Sequence, residues 1–447
     1  MTRLYPLVAA SRLPLRSGRF ACWSASLFSP VLAGSALLGG LLLGCGSDGA
    51  GAGAGAGASV QANTEQGPGG SRDGTPSATE LDAESGLVEE AQVAVGGTCA
   101  SSVAAETFTS ALCSCEDTRI AGFLRTRSFR SSAGPDAPEQ LGGSVGVNRD
   151  YTTAGYADVG GSFAVAGSRD VLFGGFLKAG EDLRFNPPFD VAGVVDVTRD
   201  AWLKSSVRAF GRVGIGGDLH MEAGAGFRGI AFVDVGGTEH TEAVSIDAPC
   251  ACGAGEIIDV AALVSAAQAD NDNALVGLEA GDVNLVLGIG ADLSLPGGRY
   301  YIDQLGSLGS LTLHVTGKTA LFIADDLIVT GRFRIELEPD AEIDVFVRDN
   351  LVITGAALFG DPQRPAATRM YVGGTGDVAI AGLSAFAGNL YAPTANILLG
   401  GVGRIDGSLF GKNIIAAGLL SVAYDSSILE GGEDCPPVAD SDIPRIR

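Results

Sequence analysis

Cysteine thiols are the groups in this chain whose type and spacing point most directly to chemistry. Cys45 ends the sequence Leu42-Leu43-Gly44-Cys45, which matches a lipobox. A bacterial exporter cuts before such a cysteine and acylates its thiol, so the mature chain would begin as a palmitate-bearing cysteine tethered to a membrane. The motif predicts a lipid anchor at Cys45 and leaves open what the anchored protein does.

Six further cysteines would remain in the mature chain, since Cys22 leaves with the leader. They are Cys99, Cys113, Cys115, Cys250, Cys252 and Cys435. An even number in an exported protein predicts a disulfide framework. Neighbours in a CxC element are poorly placed to pair with each other. We therefore expect Cys113 and Cys115 to pair with Cys250 and Cys252, and Cys99 to pair with Cys435.

A zinc site is the alternative for the two CxC elements, because four thiolates can hold one Zn²⁺ ion. Zinc fingers more often use a wider spacing than CxC, and an oxidising compartment favours disulfides. We therefore predict disulfide candidates and no metal site at these cysteines. Thiol titration with metal analysis separates the two alternatives.

Other titratable residues do not form a recognisable catalytic set. None of the histidines, His220, His240 and His314, stands beside a plausible nucleophile, and a structural role is favoured for them. Clustered acids could line a pectinase-like groove on successive rungs: Asp325, Asp326, Asp340, Glu342, Asp344 and Asp349. The chain lacks a Gly-His-Gly loop, and Arg404-Ile405-Asp406 replaces the basic segment of such sites. We predict structural aspartates, no catalytic residue, no enzymatic activity and no cofactor.

Internal repeats indicate the elements that position these residues. LFIADDLIVTG (321–331) aligns without gaps on VFVRDNLVITG (345–355), and LFGKNIIAAG (409–418) and NILLGG (396–401) repeat the same unit. Each unit is a short apolar strand, a corner at Asp or Asn, a second short strand and a closing Gly. Spacings of about 17 to 24 residues fit the rungs of a parallel β-solenoid.

Upstream, glycines recur at six-residue steps between apolar residues from about 142 to 237, which indicates looser rungs of the same kind. A Gly-rich β-sandwich is the alternative. Between the two repeat regions, apolar residues of segment 256–278 recur at helical spacing and predict one amphipathic helix that packs on a face or covers an open end. The oxygen-rich run 270–273 could bind calcium, but a helix C-terminal turn with solvated side chains is favoured.

Composition separates the leader and tether from the folded part. Residues 1–44 combine four Arg with a long apolar run and read as a signal peptide, and their removal leaves 25 basic and 52 acidic residues, a net charge of −27. This charge argues against nucleic acid as a partner. The Gly/Ala/Ser-rich segment after Cys45 has too few apolar residues to fold and should be a disordered tether.

These patterns predict an all-β fold, a parallel β-helix (solenoid) with a short helical insertion. The expected divisions are a lipoprotein signal peptide (1–44), the disordered tether (45–95), N-terminal β-solenoid rungs (96–249), a Cys-rich start and helical insertion (250–284), a C-terminal β-solenoid domain (285–430) and a C-terminal tail (431–447).

Several segments together resemble an uncharacterised family of bacterial surface lipoproteins. They are CSCED (113–117), CACGAGEIIDVAALV (250–264), NDNA (271–274), GDPQRPAATRMYVGG (360–374), and GNLYAPTANILLGG with the terminal VAYDSSIL (422–429). The resemblance implies a C-terminal β-helical domain similar to that of some PilX-like pilus-assembly proteins, and the upstream rungs look like those of bactofilins. It covers most of the chain from about residue 99 to 429 and implies no catalytic residue.

The sequence therefore favours a surface-anchored lipoprotein of the bacterial cell envelope, at the outer membrane, with a structural or adhesive role. Its expected partners are the membrane, through the lipid, and envelope proteins, extracellular polysaccharide or further copies of itself. The alternative is a β-helical protein that binds or degrades polysaccharide, but the 6% aromatic content argues against stacking platforms for sugars.

Overall fold

Parallel β-strands stacked in about 13 turns form a solenoid in the computed structural model. The structure describes residues 101–134, 138–229, 232–281, 291–307, 309–382, 385–401 and 403–430. Three short α-helices occur in these ranges: α1 Ser101–Thr107, α2 Val260–Ala269 and α3 Asn273–Val276. No helix in the described part of the chain is long and apolar enough to cross a membrane. The predicted all-β solenoid with a helical insertion is confirmed, while the signal peptide and tether lie outside the described residues.

The strands before α2 are mostly three residues long, and the buried side chains of most of them flank one that faces outward. They are β1 Leu112–Ser114, β2 Thr118–Ile120, β3 Leu124–Phe129, β4 Val145–Val147, β5 Tyr151–Thr153, β6 Ala157–Val159, β7 Phe163–Val165, β8 Val171–Phe173, β9 Leu177–Ala179, β10 Leu183–Phe185, β11 Phe189–Val191, β12 Val195–Val197, β13 Ala201–Leu203, β14 Val207–Ala209, β15 Arg212–Ile215, β16 Leu219–Met221, β17 Phe227–Gly229, β18 Phe232–Val235 and β19 Glu239–Thr241.

The strands after α3 are longer, and three 3₁₀ turns lie at Ser131–Ala133, Pro365–Ala367 and Ser426–Glu430. These strands are β20 Ala291–Leu295, β21 Gly298–Ile302, β22 Leu305–Ser307, β23 Ser310–Val315, β24 Lys318–Ile323, β25 Leu327–Val329, β26 Arg332–Leu337, β27 Glu342–Val347, β28 Leu351–Ile353, β29 Ala356–Phe359, β30 Thr368–Val372, β31 Asp377–Ala381, β32 Ala385–Gly400, β33 Arg404–Ala417 and β34 Leu420–Asp425.

Three lateral faces result, because a strand pairs in parallel with the strand three positions further along the chain. Face A contains β1, β4, β7, β10, β13, β16, β19, β21, β24, β27, β30, and residues 388–392 and 407–411 of β32 and β33. Face B contains β2, β5, β8, β11, β14, β17, β22, β25, β28, β31, and residues 396–400 and 413–417. The remaining strands form face C.

The register agrees with the internal repeat. Leu321 lies opposite Val345, the 24-residue offset at which the two segments align, and Asn396 lies opposite Asn413. The Asn residues also occupy the predicted corners, where side-chain amides link one turn to the next: Asn413 Nδ2 donates to Asn396 Oδ1 at 2.8 Å. Buried inward side chains fill the solenoid core.

The order of the turns in space differs from their order in the chain. The last turn stacks on the first, since β33 pairs with β1 and β2, and β34 pairs with β3. On its other side β1 pairs with β4. The two repeat regions therefore form one continuous stack in which β1–β3 lie in the middle, β19 lies towards one end and β20 towards the other.

Helix α2 is shorter than the segment 256–278 that the apolar spacing suggested. It begins after Asp259, whose side chain accepts a hydrogen bond from the Ala262 N–H at 2.9 Å and caps the helix. It ends before Asp270, and α3 follows as a separate single turn. The helix packs on face A, against β21, β24 and β27.

Candidate functional site

Face A carries a continuous column of side chains whose chemistry changes along the stack. The column runs in register through Tyr301, Phe322, Phe346, Tyr371, Tyr391, Phe410, Cys113, Gly146, Ala164, Arg184, Trp202, His220 and His240. It is aromatic in the C-terminal turns, contains a cysteine in the middle, and ends on charged and heteroaromatic groups. This column is the most distinctive chemical feature of the described residues.

Helix α2 and the segment before it cover the aromatic part of the column. Phe346 stacks between Phe322 and Tyr371 with ring centroids 4.9 and 4.8 Å apart. All three rings point outward from the solenoid and are nevertheless buried. Val260 and Val264 of α2 are buried as well. The helix therefore supplies a second apolar layer, and burial of its face stabilises the docked position.

Residues 242–259, which we call the strap, run along face A from β19 to α2. Asn148 holds the strap by a reciprocal pair of hydrogen bonds: Cys250 N donates to Asn148 Oδ1, and Asn148 Nδ2 donates to Cys250 O, both at 2.9 Å. Asn186 makes the same pair with Ile246, at 3.0 and 3.1 Å. The amides thus satisfy backbone groups of a segment that has no strand partner.

Two disulfides attach the strap to the first turn. Cys113 is bonded to Cys250, and Cys115 to Cys252, each across a sequence separation of 137 residues. The structure therefore brings the two CxC elements together in disulfides and not as free thiolates. Of the other candidates, Cys45, Cys99 and Cys435 lie outside the described residues.

Gly146 provides the space in which the first of these disulfides lies. A Cβ at this position would stand 2.9 Å from Cys250 Sγ and 3.2 Å from Cys113 Sγ. We expect Gly146→Ala to lower the free energy of unfolding by about 1–3 kcal/mol, since the strap must shift. Guanidinium denaturation of the oxidised protein measures the change. Gly226→Ala is the matched control, because a Cβ there meets nothing within 4 Å; equal behaviour of the two variants would contradict the assignment.

Beside the first half of the strap, the column ends in stacked rings. Arg184 lies over the Trp202 ring at 4.5 Å, Trp202 stacks on His220 at 5.0 Å, and His220 stacks on His240 at 4.7 Å. A cleft of about 420 Å³ separates Arg184 and Trp202 from the strap. Both ring faces of Trp202 are covered by these neighbours, so the indole does not present a free stacking platform to a sugar.

The last two rings belong to a group with metal-ligand chemistry. Asp218, His220 and His240 each place one ligand atom within 4.8 Å of the other two. His220 Nδ1 is also 2.7 Å from Glu242 Oε1. The sequence interpretation missed this group because it looked only for nucleophiles near each histidine. The signal was present, since 20 residues separate His220 from His240 and this equals one turn of the solenoid.

Five of the six acids considered for a pectinase-like groove contact basic side chains or corner amides. Arg369 contacts both Glu342 and Asp344, with Nη2 2.8 Å from Glu342 Oε2 and Nε 2.6 Å from Asp344 Oδ1. Asp325 pairs with Arg348 at 2.8 Å. Asp326 accepts from the Asn350 side chain, Asp349 lies 3.7 Å from Arg348 and Asp340 occupies a turn with a φ of 64°. The third histidine, His314, lies on face C.

The run 270–273 is solvated at its start, as the sequence suggested, but not throughout: the Asp270 side chain is 82% exposed, whereas Asn273 is buried. Asp270 pairs with Arg299 at 2.6 Å, and Asp272 accepts from the Arg299 backbone N–H at 2.7 Å. Asn273 is buried and exchanges two hydrogen bonds with the backbone of Tyr301. These groups attach the end of α2 to β21, and the tertiary contact, which no local pattern indicates, determines their role.

The fold and this column define a β-solenoid protein with a covalently attached lateral strap. Residues 236–430, less than half of the chain, match the family model of a domain of unknown function (DUF7305). The matched segment contains the strap, helices α2 and α3, and the C-terminal turns of the solenoid. Neither the curated proteins nor the solved structures gave a significant match.

Proposed function

We propose that this protein is a lipoprotein of the bacterial cell envelope, anchored through Cys45 at the outer surface, in which the solenoid acts as a stiff structural or adhesive element and not as an enzyme. The observation that carries the proposal is the pair of disulfides between Cys113 and Cys250 and between Cys115 and Cys252. Structural disulfides persist in oxidising compartments, which is where a signal peptide and lipobox would deliver the chain.

The point at which the chain enters the solenoid supports a structural role. Helix α1 packs against the final 3₁₀ turn, Ser426–Glu430, and the Tyr424 hydroxyl donates to Phe108 O at 2.6 Å. Both ends of the described chain therefore lie at the middle turns. A lipid tether attached there would hold the solenoid by its middle and leave both ends and the lateral faces accessible to partners.

Face B offers a regular surface for an adhesive role. Its outward apolar side chains form a ladder, one per turn: Ile328, Val352, Ala379, Leu398 and Ile415. These side chains are partly exposed. Turns repeat about every 4.8 Å along such a stack, a spacing suited to a partner that is itself repetitive, such as an extracellular polysaccharide or another copy.

Replacing the anchor residue tests the proposal. We expect Cys45→Ser to move the protein from the membrane fraction to the soluble fraction and to abolish palmitate labelling, with the circular dichroism of the solenoid unchanged. Cys22→Ser is the matched control, because that cysteine belongs to the predicted signal peptide. Protease shaving of intact cells should release the solenoid.

Three outcomes would overturn the assignment. If Cys45→Ser associates with the membrane and is labelled with palmitate to the same extent as the unsubstituted protein, Cys45 is not the lipid anchor. If the unsubstituted protein is recovered only from inner-membrane fractions, the proposed location at the outer surface is wrong. A soluble Cys45→Ser protein that still performs its envelope role would show that the lipid is dispensable for that role.

A further inference from the structure

We infer that Asp218, His220 and His240 form a binding site for a divalent transition-metal ion such as Zn²⁺ at the open end of face A. Two imidazoles and one carboxylate are a ligand set of intermediate softness, which suits Zn²⁺, Ni²⁺, Co²⁺ or Cu²⁺ and does not suit Ca²⁺ or Mg²⁺. The inference does not depend on the lipid anchor or on the structural role proposed above.

The solenoid register brings the two histidines together. His220 of β16 lies opposite His240 of β19, and their rings are stacked with an interplanar angle of 13°. Each imidazole projects from a strand that is hydrogen-bonded to its neighbour, so the spacing of the two Cα atoms is set by the β-ladder. The two histidines thus lie on regular elements, which fix ligand positions better than loops do, and Asp218 lies in the corner just before β16.

Hydrogen bonds to the remaining atoms orient the ligands. A carboxylate can only accept a hydrogen bond, so Glu242 Oε1, at 2.7 Å, accepts from His220 Nδ1–H, and the Nε2 lone pair of His220 is left for a metal. Asp218 Oδ1 accepts from the Thr238 N–H at 2.7 Å, while Oδ2 lies 4.0 Å from His240 Nε2. Such outer partners are typical of metal-binding histidines and carboxylates.

Metal binding requires the side chains to rotate, because the two imidazoles are stacked with an interplanar angle of 13° and the lone pair of each ring nitrogen lies in the plane of its own ring. Metal-to-ligand distances of about 2.0–2.1 Å place the ligand atoms of a tetrahedral zinc site roughly 3.4 Å apart. The three ligand atoms lie within 4.8 Å, and the side chains of Asp218 and His240 are 46% and 41% exposed, so both can rotate without moving the strands. Water or a second carboxylate oxygen would occupy the fourth position.

His314 provides an internal comparison. It too lies between carboxylates, with Glu336 at 3.1 Å and Asp292 at 3.9 Å, and its side chain is 43% exposed. The other two histidines of the chain lie on face A, so His314 has no second imidazole beside it. If one histidine with acidic neighbours were enough to bind the metal, replacing His314 would weaken Zn²⁺ binding as much as replacing His220 or His240.

Titration of the purified full-length protein with Zn²⁺ against a chromophoric chelator tests the site. We expect one equivalent bound, with affinity reduced at least tenfold in His220→Ala, His240→Ala and Asp218→Asn and unchanged in His314→Ala. Asp218→Asn is nearly isosteric and guards against a folding defect. Co²⁺ substitution should give a tetrahedral spectrum without sulfur-to-metal charge transfer, which separates this site from cysteine ligation.

Binding that survives His220→Ala and His240→Ala, or that is lost equally in His314→Ala, would overturn the inference. So would a Co²⁺ spectrum with thiolate bands, or no binding at micromolar Zn²⁺.

Discussion

Replacing all four cysteines of the two strap disulfides with serine should lower the free energy of unfolding by about 7 kcal/mol, whereas removing either disulfide alone should cost only about 2 kcal/mol. In the chain-entropy account, the first cross-link between residues 137 apart restricts the unfolded chain by about 5 kcal/mol. The second then closes a loop of only a few residues, worth about 2 kcal/mol.

Guanidinium denaturation under non-reducing conditions measures these differences. Each single-disulfide variant should replace both partners, Cys113 with Cys250 or Cys115 with Cys252, so that no thiol is left to mispair. The two single variants serve as matched controls for each other, because their separations are equal. If the loss in the fourfold variant equals the sum of the two single losses, loop closure is not the source of the stabilisation.

Arg369→Met should lower the free energy of unfolding by about 3–5 kcal/mol. Arg369 is 5% exposed and donates to both oxygens of Asp344, which is equally buried, and also to Glu342 and the Ala366 carbonyl. Methionine fills a similar volume but leaves the buried Asp344 carboxylate without its counter-ion. The cost of desolvating this carboxylate is then no longer offset by the ion pair.

The pH dependence of the Arg369→Met defect provides an internal check. Burial raises the pKa of Asp344 above its ordinary value even though Arg369 opposes the shift; without Arg369 it should rise further. When the folded-state pKa of a carboxyl is raised, the protein becomes less stable as the pH increases through that pKa. The stability defect of Arg369→Met should therefore be smaller in acid. Arg369→Met combined with Asp344→Asn should recover much of the loss at neutral pH. A defect independent of both pH and Asp344→Asn would assign the loss to packing.

Much of the solenoid was predictable, because each turn repeats its own local chemistry. The 24-residue offset between Leu321 and Val345 is visible as sequence identity and reappears as strand register. Corner residues such as Asn413 were predictable for the same reason. The presence of a helix was predictable, but its first residue was not. The apolar spacing already begins before Asp259, whereas the helix begins only after this residue, which caps it.

The order of the turns was not predictable. Every turn presents similar edges, and β1 could in principle pair with any of them; only the structure shows that it lies between β4 and β33. The strap follows from this order, because a chain that ends one half of the stack at β19 must return along the side before it can begin the other half at β20.

The sequence by itself determined the repeated turn, the corner residues, the helical insertion and the candidate cysteines, because each depends on residues that are neighbours in the chain or recur at the period of the solenoid. Only the tertiary structure decided which distant turns stack, that the strap runs along face A, and which cysteine of one CxC element bonds to which cysteine of the other. Those contacts depend on the register between distant turns, and hydrophobic periodicity is the same for every register that keeps apolar side chains inside.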